Sequence, residues 1–424
     1  MKKTIFIAAS LATLLTGAAI AKEVVKNQEA VASEEWRSFI QPLVPVGGDL
    51  TKLILHPEDA LVREEFYRDI FSQLAAGFFA RIQEDPRYPD FWPLYSTAFN
   101  SGAPNPDNDY YVTPIDDNGT YKISGFRGTV KRVSFSIGTG TLYTLGTMDG
   151  GPIKSLGEYD LDQLNLGKDG AFEVIVSPER PKGYEGNWWK LSPGATNILV
   201  RQTSYDWLHE VDARLAIDRL DQPAIKPRPT AEELKQHMQE LARYAEVSVR
   251  VTVGYFDSIR KKFGFNHVDY IDNSGWAPVV TQRYGYGAFD LAPDEALLVE
   301  LRLPKCRYWS IHLTEDSGAT LDYMNRQSSL NGFTAQVDSD GYFRTVISAK
   351  DPGIQNWLDN AGLRTGMIQA RWENCDFWPD FKTTVIKVSE ARKYFPANTS
   401  AISAEQRDAA IRLRRKGVQM RKRW

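Results

Sequence analysis

The feature that most constrains the fold is an internal repeat with an offset of about 170 residues. Asp169–Ser177 matches Asp340–Ser348 in the order of its turn, aromatic and β-branched residues. Two further matches keep the same order: Asn187-Trp188 with Asn356-Trp357, and Arg201 with Arg371. Because order and spacing are both retained, the repeat predicts two related β-domains, each a sandwich or jelly roll.

Helices are predicted around these two β-domains. Apolar residues recur at helical spacing over 57–82, and Pro86 follows that stretch. Thr230 begins a capping box, and the apolar stripe that follows it runs to about Phe263. Ser403 begins a second capping box, before a basic tail. The predicted fold is therefore mainly β, with two repeated β-sandwich or jelly-roll-like domains, a helical insert, and N- and C-terminal helices.

Turn residues, and changes between helix-like and strand-like residue patterns, predict where these units begin and end. Asn118-Gly119 and Asp169-Gly170 are typical of hairpin turns, because both pairs tolerate a positive φ. The predicted units are a signal peptide (1–21), an N-terminal helical segment (22–103), a first β-domain (104–207), a helical insert (208–273), a second β-domain (274–395) and a basic C-terminal helix (396–424).

The N-terminus has the pattern of an export signal. Lys2 and Lys3 precede an apolar stretch from Ile5 to Ile20, and a small-x-small site predicts cleavage after Ala21. An uncleaved membrane anchor is the alternative, but the apolar stretch is short for a span. The basic head is typical of bacteria, so we expect a periplasmic protein. Cys306 and Cys375 would then form a disulfide or remain two buried thiols.

Composition excludes several classes of function. The chain has 51 Lys and Arg against 54 Asp and Glu, a net charge of −3, which argues against a nucleic-acid-binding protein. Two cysteines exclude a four-cysteine metal site, and five histidines leave little room for a multi-histidine metal centre. Nucleophile-elbow, zinc-protease and phosphate-loop motifs are absent. We expect no cofactor, no metal and no membrane contact, and a small molecule as the partner.

A set of motifs in the second β-domain resembles a known family. The motifs are Tyr284-Gly285-Tyr286, Ala292–Leu297, Tyr308-Trp309-Ser310, Leu321-Asp322-Tyr323, Ser329-Leu330-Asn331, Asp340-Gly341 and Asp351–Asp359. They are similar to the domain-of-unknown-function family numbered 1214, whose longer members are often paired with the family numbered 1254. The resemblance implies a β-sandwich with a helical insert and no established activity. His312 departs from the amide expected there, so a role for His312 would not be a family role.

The strand from Arg307 to Leu313 carries the first candidate site. Alternation places Trp309, Ile311 and Leu313 on one face, and Tyr308, Ser310 and His312 on the other. If the first face packs between sheets, the second faces solvent or a cleft. His312 could then act as a general acid or base. A histidine on a solvated sheet face is the interpretation that the sequence favours.

Two arginines at equivalent repeat positions form the second candidate. A buried arginine needs a carboxylate or an anionic ligand, so Arg201 and Arg371 are candidate ligand-binding residues. Structural pairing, with Asp206 or Asp322 as the partner, is favoured because the position recurs in both domains.

The loop from Asp322 to Asn331 is the third candidate, since loops on a rigid sandwich often carry sites. Asp322, Tyr323 and Arg326 are its candidate catalytic residues together with His312, and Asn331 and Tyr308 are candidate ligand-binding residues. A polar loop that caps its own backbone is the alternative. The basic tail is expected to dock on the acidic body of the chain rather than on a membrane.

Two functions of different class remain. The first is an exported, cofactor-independent enzyme, a lyase, isomerase or hydrolase, acting on a small apolar or aromatic oxygenated molecule in a cleft of the β-domains. The second is a periplasmic ligand-binding or envelope-scaffold protein that uses the same cleft without chemistry.

Overall fold

The computed structural model describes residues 33–140, 154–271 and 282–421 and contains two β-halves. The strands of the first half are β1 (Trp92–Tyr95), β2 (Asn108–Pro114), β3 (Tyr121–Phe126), β4 (Arg132–Gly138), β5 (Ser155–Asp160), β6 (Ala171–Ser177), β7 (Asn187–Lys190), β8 (Asn197–Thr203) and β9 (Arg214–Arg219). The strands of the second half are β10 (His267–Tyr270), β11 (Gln282–Asp290), β12 (Glu295–Arg302), β13 (Cys306–Thr314), β14 (Ser329–Asn331), β15 (Tyr342–Ser348), β16 (Trp357–Asp359), β17 (Thr365–Cys375) and β18 (Lys382–Lys387). The predicted signal peptide lies outside the described residues.

The two halves have the same topology. The first contains a five-stranded sheet, β1-β2-β8-β4-β5, and a four-stranded sheet, β7-β6-β3-β9. The second contains β10-β11-β17-β13-β14 and β16-β15-β12-β18, so each strand has its counterpart nine strands later. Even the one parallel pair of each four-stranded sheet recurs, as β6–β7 and β15–β16. The predicted internal repeat and the mainly β fold are confirmed.

Each half buries its core between its two sheets. In the first half Phe135 of β4 and Val174 of β6 belong to one apolar cluster. In the second half Trp309 of β13 packs against Phe343 of β15, with ring centroids 4.9 Å apart. The predicted core face of β13 is confirmed, because Ile311 and Leu313 lie in the same cluster.

The helices frame the β-halves. They are α1 (Val44–Leu50), α2 (Ala60–Gly77), α3 (Ala231–Phe263) and α4 (Ala404–Met420), with residues 33–40 also helical, a π-helical turn at Phe78–Gln83, and 3-10 turns at Gln41–Leu43, Thr51–Leu53, Leu161–Gln163 and Val388–Tyr394. Thr230 and Ser403 form the predicted capping boxes of α3 and α4. None of the described helices is both long and apolar enough to cross a membrane.

Some predicted boundaries and turns differ from the structure. β1 and β9 pair with β2 and β3, so the first half spans 92–219 rather than 104–207. β10 begins at His267, before the predicted start at 274. Gly119 and Gly170 do not close hairpins, because each lies between a strand of the five-stranded sheet and a strand of the four-stranded sheet. The turn residues specify a reversal and leave open which sheet the next strand joins.

The basic tail docks on the body of the protein, as predicted. Arg407 Nε donates to Asp351 Oδ2 at 2.8 Å, and Arg415 Nε donates to Asn325 Oδ1 at 2.7 Å. Arg421 Nη1 donates to the carbonyl of Pro106 at 3.1 Å, which ties the end of α4 to the first half. Cys306 and Cys375, which the sequence left open, form a disulfide between β13 and β17.

The repeat extends to individual hydrogen bonds. Asn187 Nδ2 donates to the carbonyls of Asn165 and Glu173, and its Oδ1 accepts from the Asn165 amide. Asn356 makes the same three bonds, to Gln336 and the carbonyl of Arg344. Each asparagine therefore ties the start of one strand to the loop before its neighbour. Each asparagine with its three hydrogen bonds is called a clamp here. The two clamps differ in burial, since Asn356 is buried and Asn187 is half-buried.

Replacing each asparagine by alanine tests this equivalence. We expect Asn356→Ala to lower the free energy of unfolding by about 1–3 kcal/mol, because it leaves buried backbone groups without partners. Asn187→Ala should cost less, since water reaches its partners. Denaturant unfolding of the two variants measures the difference. An equal or larger loss in Asn187→Ala contradicts this account of the clamps.

Candidate functional site

The five-stranded sheets of the two halves, called the inner sheets from here on, face each other. Arg132 on β4 forms an ion pair with Glu373 on β17, with Nη1 and Oε1 2.8 Å apart. Tyr308 on β13 donates to Asp107 Oδ2, just before β2, at 2.6 Å. The faces that point away from each half's own core are therefore buried against the other half.

A cavity of about 190 Å³ lies between the inner sheets. Helix α3 contributes Thr252, Tyr255 and Phe256 to its wall, and the loop at Ala103 also lines it. The remaining lining residues used below are Tyr95, Tyr110, Ser136, Lys154, Glu158, Leu199 and Arg201 from the first half, and Tyr284, Tyr286, Gln369 and Arg371 from the second. The wall is thus rich in aromatic rings and carries charged groups of both signs.

A tyrosine–arginine pair occurs at the same place in each inner sheet. Tyr110 is opposite Arg201 in the β2–β8 register, and Tyr284 is opposite Arg371 in the β11–β17 register. Directly opposite residues on neighbouring strands point to the same face. All four side chains line the cavity, so the duplication has placed two equivalent pairs in one space.

The contacts of the two guanidinium groups are with neutral groups. Arg371 lies over the Tyr284 ring, 4.8 Å from its centroid, and its Nη1 donates to Tyr110 Oη at 3.4 Å. Arg201 Nη1 donates to Ser136 Oγ at 2.7 Å.

Neither arginine has a carboxylate partner among residues 33–140, 154–271 and 282–421. The predicted structural pairing with Asp206 or Asp322 is wrong. Asp206 Oδ2 instead lies 2.7 Å from His209 Nδ1, and Asp322 accepts from Asn325. The two cations are therefore left facing the cavity without a countercharge from the predicted aspartates.

The arginines change the acidity of Tyr110. Burial of the phenol by itself raises its pKa, but the positive charges of Arg371 and Arg201 outweigh burial and bring the pKa of Tyr110 below its usual value. Tyr286 shows the contrast, since burial holds its pKa well above the usual value. The electrostatic potential at the Tyr110 hydroxyl is therefore positive enough to favour an anion.

Four lining residues have buried polar atoms without a hydrogen-bond partner in the described part of the chain: Arg371 Nε, Glu158 Oε2, Thr252 Oγ1 and Gln369 Oε1. Buried polar atoms are nearly always hydrogen-bonded in folded proteins. Four exceptions around one cavity indicate a space shaped for a polar occupant, and they offer a donor, two acceptors and a hydroxyl.

His312 does not reach the cavity wall. Its side chain is fully buried between the halves, where burial and then the charge of Arg371 lower its pKa to about 3. The imidazole is therefore neutral at neutral pH. The predicted solvated sheet face is wrong, because the other half covers it.

Tyr308 and Asn331 take part in a buried network centred on Asp107. Asn331 Nδ2 and Trp207 Nε1 both donate to Asp107 Oδ1, at 2.7 and 2.8 Å, and Tyr308 donates to Oδ2. Asp107 is almost fully buried, and burial raises the pKa of its carboxyl. The network joins the two halves and leaves Tyr308 and Asn331 away from the lining of the cavity.

The predicted catalytic loop lies elsewhere. Arg326 pairs with Asp359 at 2.9 Å, and the Tyr323 ring packs edge-on against Trp207. Asp322 and Tyr323 line a separate space of about 280 Å³, beside the buried carboxyls of Asp69 and Glu315. Burial raises the pKa of Asp69 to about 7 and that of Glu315 to about 8. Of the predicted site residues, Arg201 and Arg371 therefore meet in the cavity between the inner sheets, whereas Asp322 and Tyr323 meet in a separate space.

Tyr110, Glu158 and Thr252 line the cavity but were not predicted as site residues from the sequence. Tyr110 is the repeat counterpart of Tyr284, but their separation of 174 residues differs from the offset of the recognised matches. Aligning the cross-strand partners of the two arginines would have found this tyrosine. Thr252 comes from the insert, which has no counterpart in the repeat.

Comparison with known proteins agrees with this architecture. Residues 144–204 and 291–367 match the model of DUF1214, a family described as proteins of unknown function, so the predicted resemblance is confirmed and lies in both halves. An uncharacterized protein from Burkholderia cenocepacia is 28% identical, with a TM-score of 0.77, and the match covers 85% of this chain and 99% of that one.

The VPA0106 protein from Vibrio parahaemolyticus is 12% identical, with a TM-score of 0.43, over 75% of this chain and 98% of that one. No functionally curated protein matches the chain.

The acidity of Tyr110 can be measured by NMR titration of tyrosine labelled at ¹³Cζ, with Tyr110→Phe as the assignment. We expect Tyr110 to titrate at lower pH than the other buried tyrosines. Arg371→Gln should raise its pKa, and Arg201→Gln should raise it less, because the charge of Arg371 has the larger effect. Arg326→Gln, outside the cavity, is the control. A Tyr110 titration unchanged by both cavity variants contradicts this electrostatic account.

Proposed function

We propose, from the premise that the chain carries the DUF1214 match in both halves, that it is an exported protein that binds a small organic anion between its inner sheets. The single observation that carries the proposal is the pair of repeat-equivalent arginines, Arg201 and Arg371, that line one cavity without a carboxylate partner among the described residues.

An anionic ligand follows from the cost of burying charge. Moving a cation out of water costs several kcal/mol even after relaxation, and the charge of arginine cannot be removed by deprotonation. Tyrosine rings and hydroxyls offset part of this cost at Arg371. A carboxylate offsets more, because it matches the planar guanidinium with two parallel hydrogen bonds. The Nε–H group of Arg371 has no hydrogen-bond partner among the described residues, so it can donate one of these bonds.

The cavity favours an apolar or aromatic body on that anion. Tyr95, Tyr255, Phe256 and Leu199 contribute ring and aliphatic surface to its wall. A dry cavity of about 150 Å³ accommodates benzene. The present space of about 190 Å³ therefore suits a single ring with a short acidic side chain, or an aliphatic acid of similar size.

Export to the periplasm is part of the proposal. The signal-like N-terminus is its main support. The Cys306–Cys375 disulfide is a second support, because disulfides persist in oxidising compartments.

An acid–base enzyme of the same cavity is the second candidate, favoured by the lowered pKa of Tyr110 beside two cations. Tyr110 would exchange a proton with a ligand whose anionic group the arginines hold. The roles first considered for His312, Asp322, Tyr323 and Arg326 find no support, since none of them lines the cavity. An enzyme would release a changed molecule and a binding protein an unchanged one, which mass spectrometry of the released molecule distinguishes.

Calorimetric titration with 3-phenylpropanoate and its uncharged amide tests the proposed binding. We expect the acid to bind and the amide to bind at least about tenfold more weakly, because it lacks the charge that the arginines match. Arg371→Gln and Arg201→Gln should each weaken binding of the acid by roughly 10- to 100-fold.

Arg326→Gln serves as the matched control, since this arginine pairs with Asp359 outside the cavity. Equal binding of acid and amide, arginine variants that bind like the wild type, or no binding of the acid at millimolar concentration would each count against the proposal.

A further inference from the structure

Among the described residues that line the cavity, Glu158 is the one with an acidic side chain. It lies on β5 directly opposite Ser136, whose hydroxyl accepts the hydrogen bond from Arg201. Its Oε2 is buried and has no hydrogen-bond partner in the described part of the chain. Lys154 also lines the cavity, but no ion pair joins it to Glu158 within the described residues. A buried carboxylate oxygen therefore faces a space that the arginines prepare for an anion.

A ligand that offers only an anionic group raises the free-energy cost of keeping Glu158 Oε2 buried. A carboxylate ligand on the arginines brings a second negative charge into the cavity, and like charges in a region of low dielectric repel. A buried acceptor without a donor also costs about 1–3 kcal/mol. Both costs fall if the ligand itself carries a hydrogen-bond donor near Glu158.

We infer that the ligand of this cavity is a small acid that also carries a hydrogen-bond donor, an ammonium or hydroxyl group, and that Glu158 selects for that donor. The inference rests on the proposed binding of an organic anion and specifies its class as an amino acid or a hydroxy acid. Thr252 Oγ1, another lining atom without a partner in the described part of the chain, can bond to the same group.

The duplication is consistent with a selective role. Ser329 of β14 is the repeat counterpart of Glu158, because the two stand opposite His312 and Ser136 at equivalent positions. The pairs of tyrosine and arginine recur in both halves, whereas the carboxylate occurs in one half only. The tyrosine–arginine pairs, which would bind the anion, are thus duplicated. The Glu158 carboxylate, which would accept a hydrogen bond from the ligand, is not.

A matched series of ligands tests the inference: 3-phenylpropanoate without a donor, phenyllactate with a hydroxyl, and phenylalanine with an ammonium. We expect the wild type to bind phenyllactate or phenylalanine roughly tenfold or more tightly than 3-phenylpropanoate, the range of one hydrogen bond to a charged group. Glu158→Met should abolish that advantage and strengthen binding of 3-phenylpropanoate, because a repelling charge is gone.

Glu158→Gln keeps a hydrogen-bond acceptor and removes the charge. Its ligand binding therefore distinguishes an ammonium donor on the ligand from a hydroxyl donor. An advantage lost in Glu158→Gln indicates an ammonium, and one largely retained indicates a hydroxyl. Glu185→Gln, an exposed residue outside the cavity, is the control, and thermal unfolding confirms that each variant folds.

The failures are distinguishable. If 3-phenylpropanoate binds through the arginines but neither donor-bearing acid binds more tightly, the inference about Glu158 is overturned and the proposed function stands. The same holds if the advantage survives in Glu158→Met. If none of the three acids binds, the proposed function fails and the inference fails with it.

Discussion

The structure depends on burying one face of each inner sheet against the other half. These faces carry polar and charged side chains rather than an apolar core, so each must find a partner across the junction. Arg132 with Glu373, and Asp107 with Tyr308 and Asn331, are such partners across the junction. Arg201 and Arg371 have no carboxylate partner among the described residues, and the cavity lies where they meet.

Duplication explains why two arginines share one space. Each inner sheet places Tyr, Arg and Ser side by side across three strands, as Tyr110-Arg201-Ser134 in the first half and Tyr284-Arg371-Ser310 in the second. When the two faces pack together, these rows bring like charges into the same junction. Such a junction costs free energy when empty, which is the physical reason to expect an anion there.

The neighbouring row of cross-strand residues on the same face of each inner sheet differs between the two halves. Leu199 corresponds to Gln369, and Ser136 corresponds to His312, by their positions opposite one another in the two sheets. One wall of the cavity is therefore apolar where the other offers an amide. A pair of related sheets that started alike would in this way hold an asymmetric molecule in a single orientation.

Sequence alone predicted the repeat, the capped helices and the core face of β13, because each follows from local spacing. It also identified Arg201 and Arg371, since the repeat marks them as equivalent. It could not predict what covers the outer face of β13, so His312 was expected at a surface and is buried. That face is covered by residues far away in the chain, and alternation carries no information about them. The same limit hid Tyr110 and Thr252, which reach the cavity only through tertiary packing.

The most direct test is ligand capture. The protein and its Arg201→Gln/Arg371→Gln double variant are incubated with the same bacterial small-molecule extract, re-isolated, and examined by native mass spectrometry. The account predicts that the wild type retains a small organic acid of about single-ring size and that the double variant retains none of it. A captured molecule that lacks an acidic group, or that both proteins retain equally, would contradict the account.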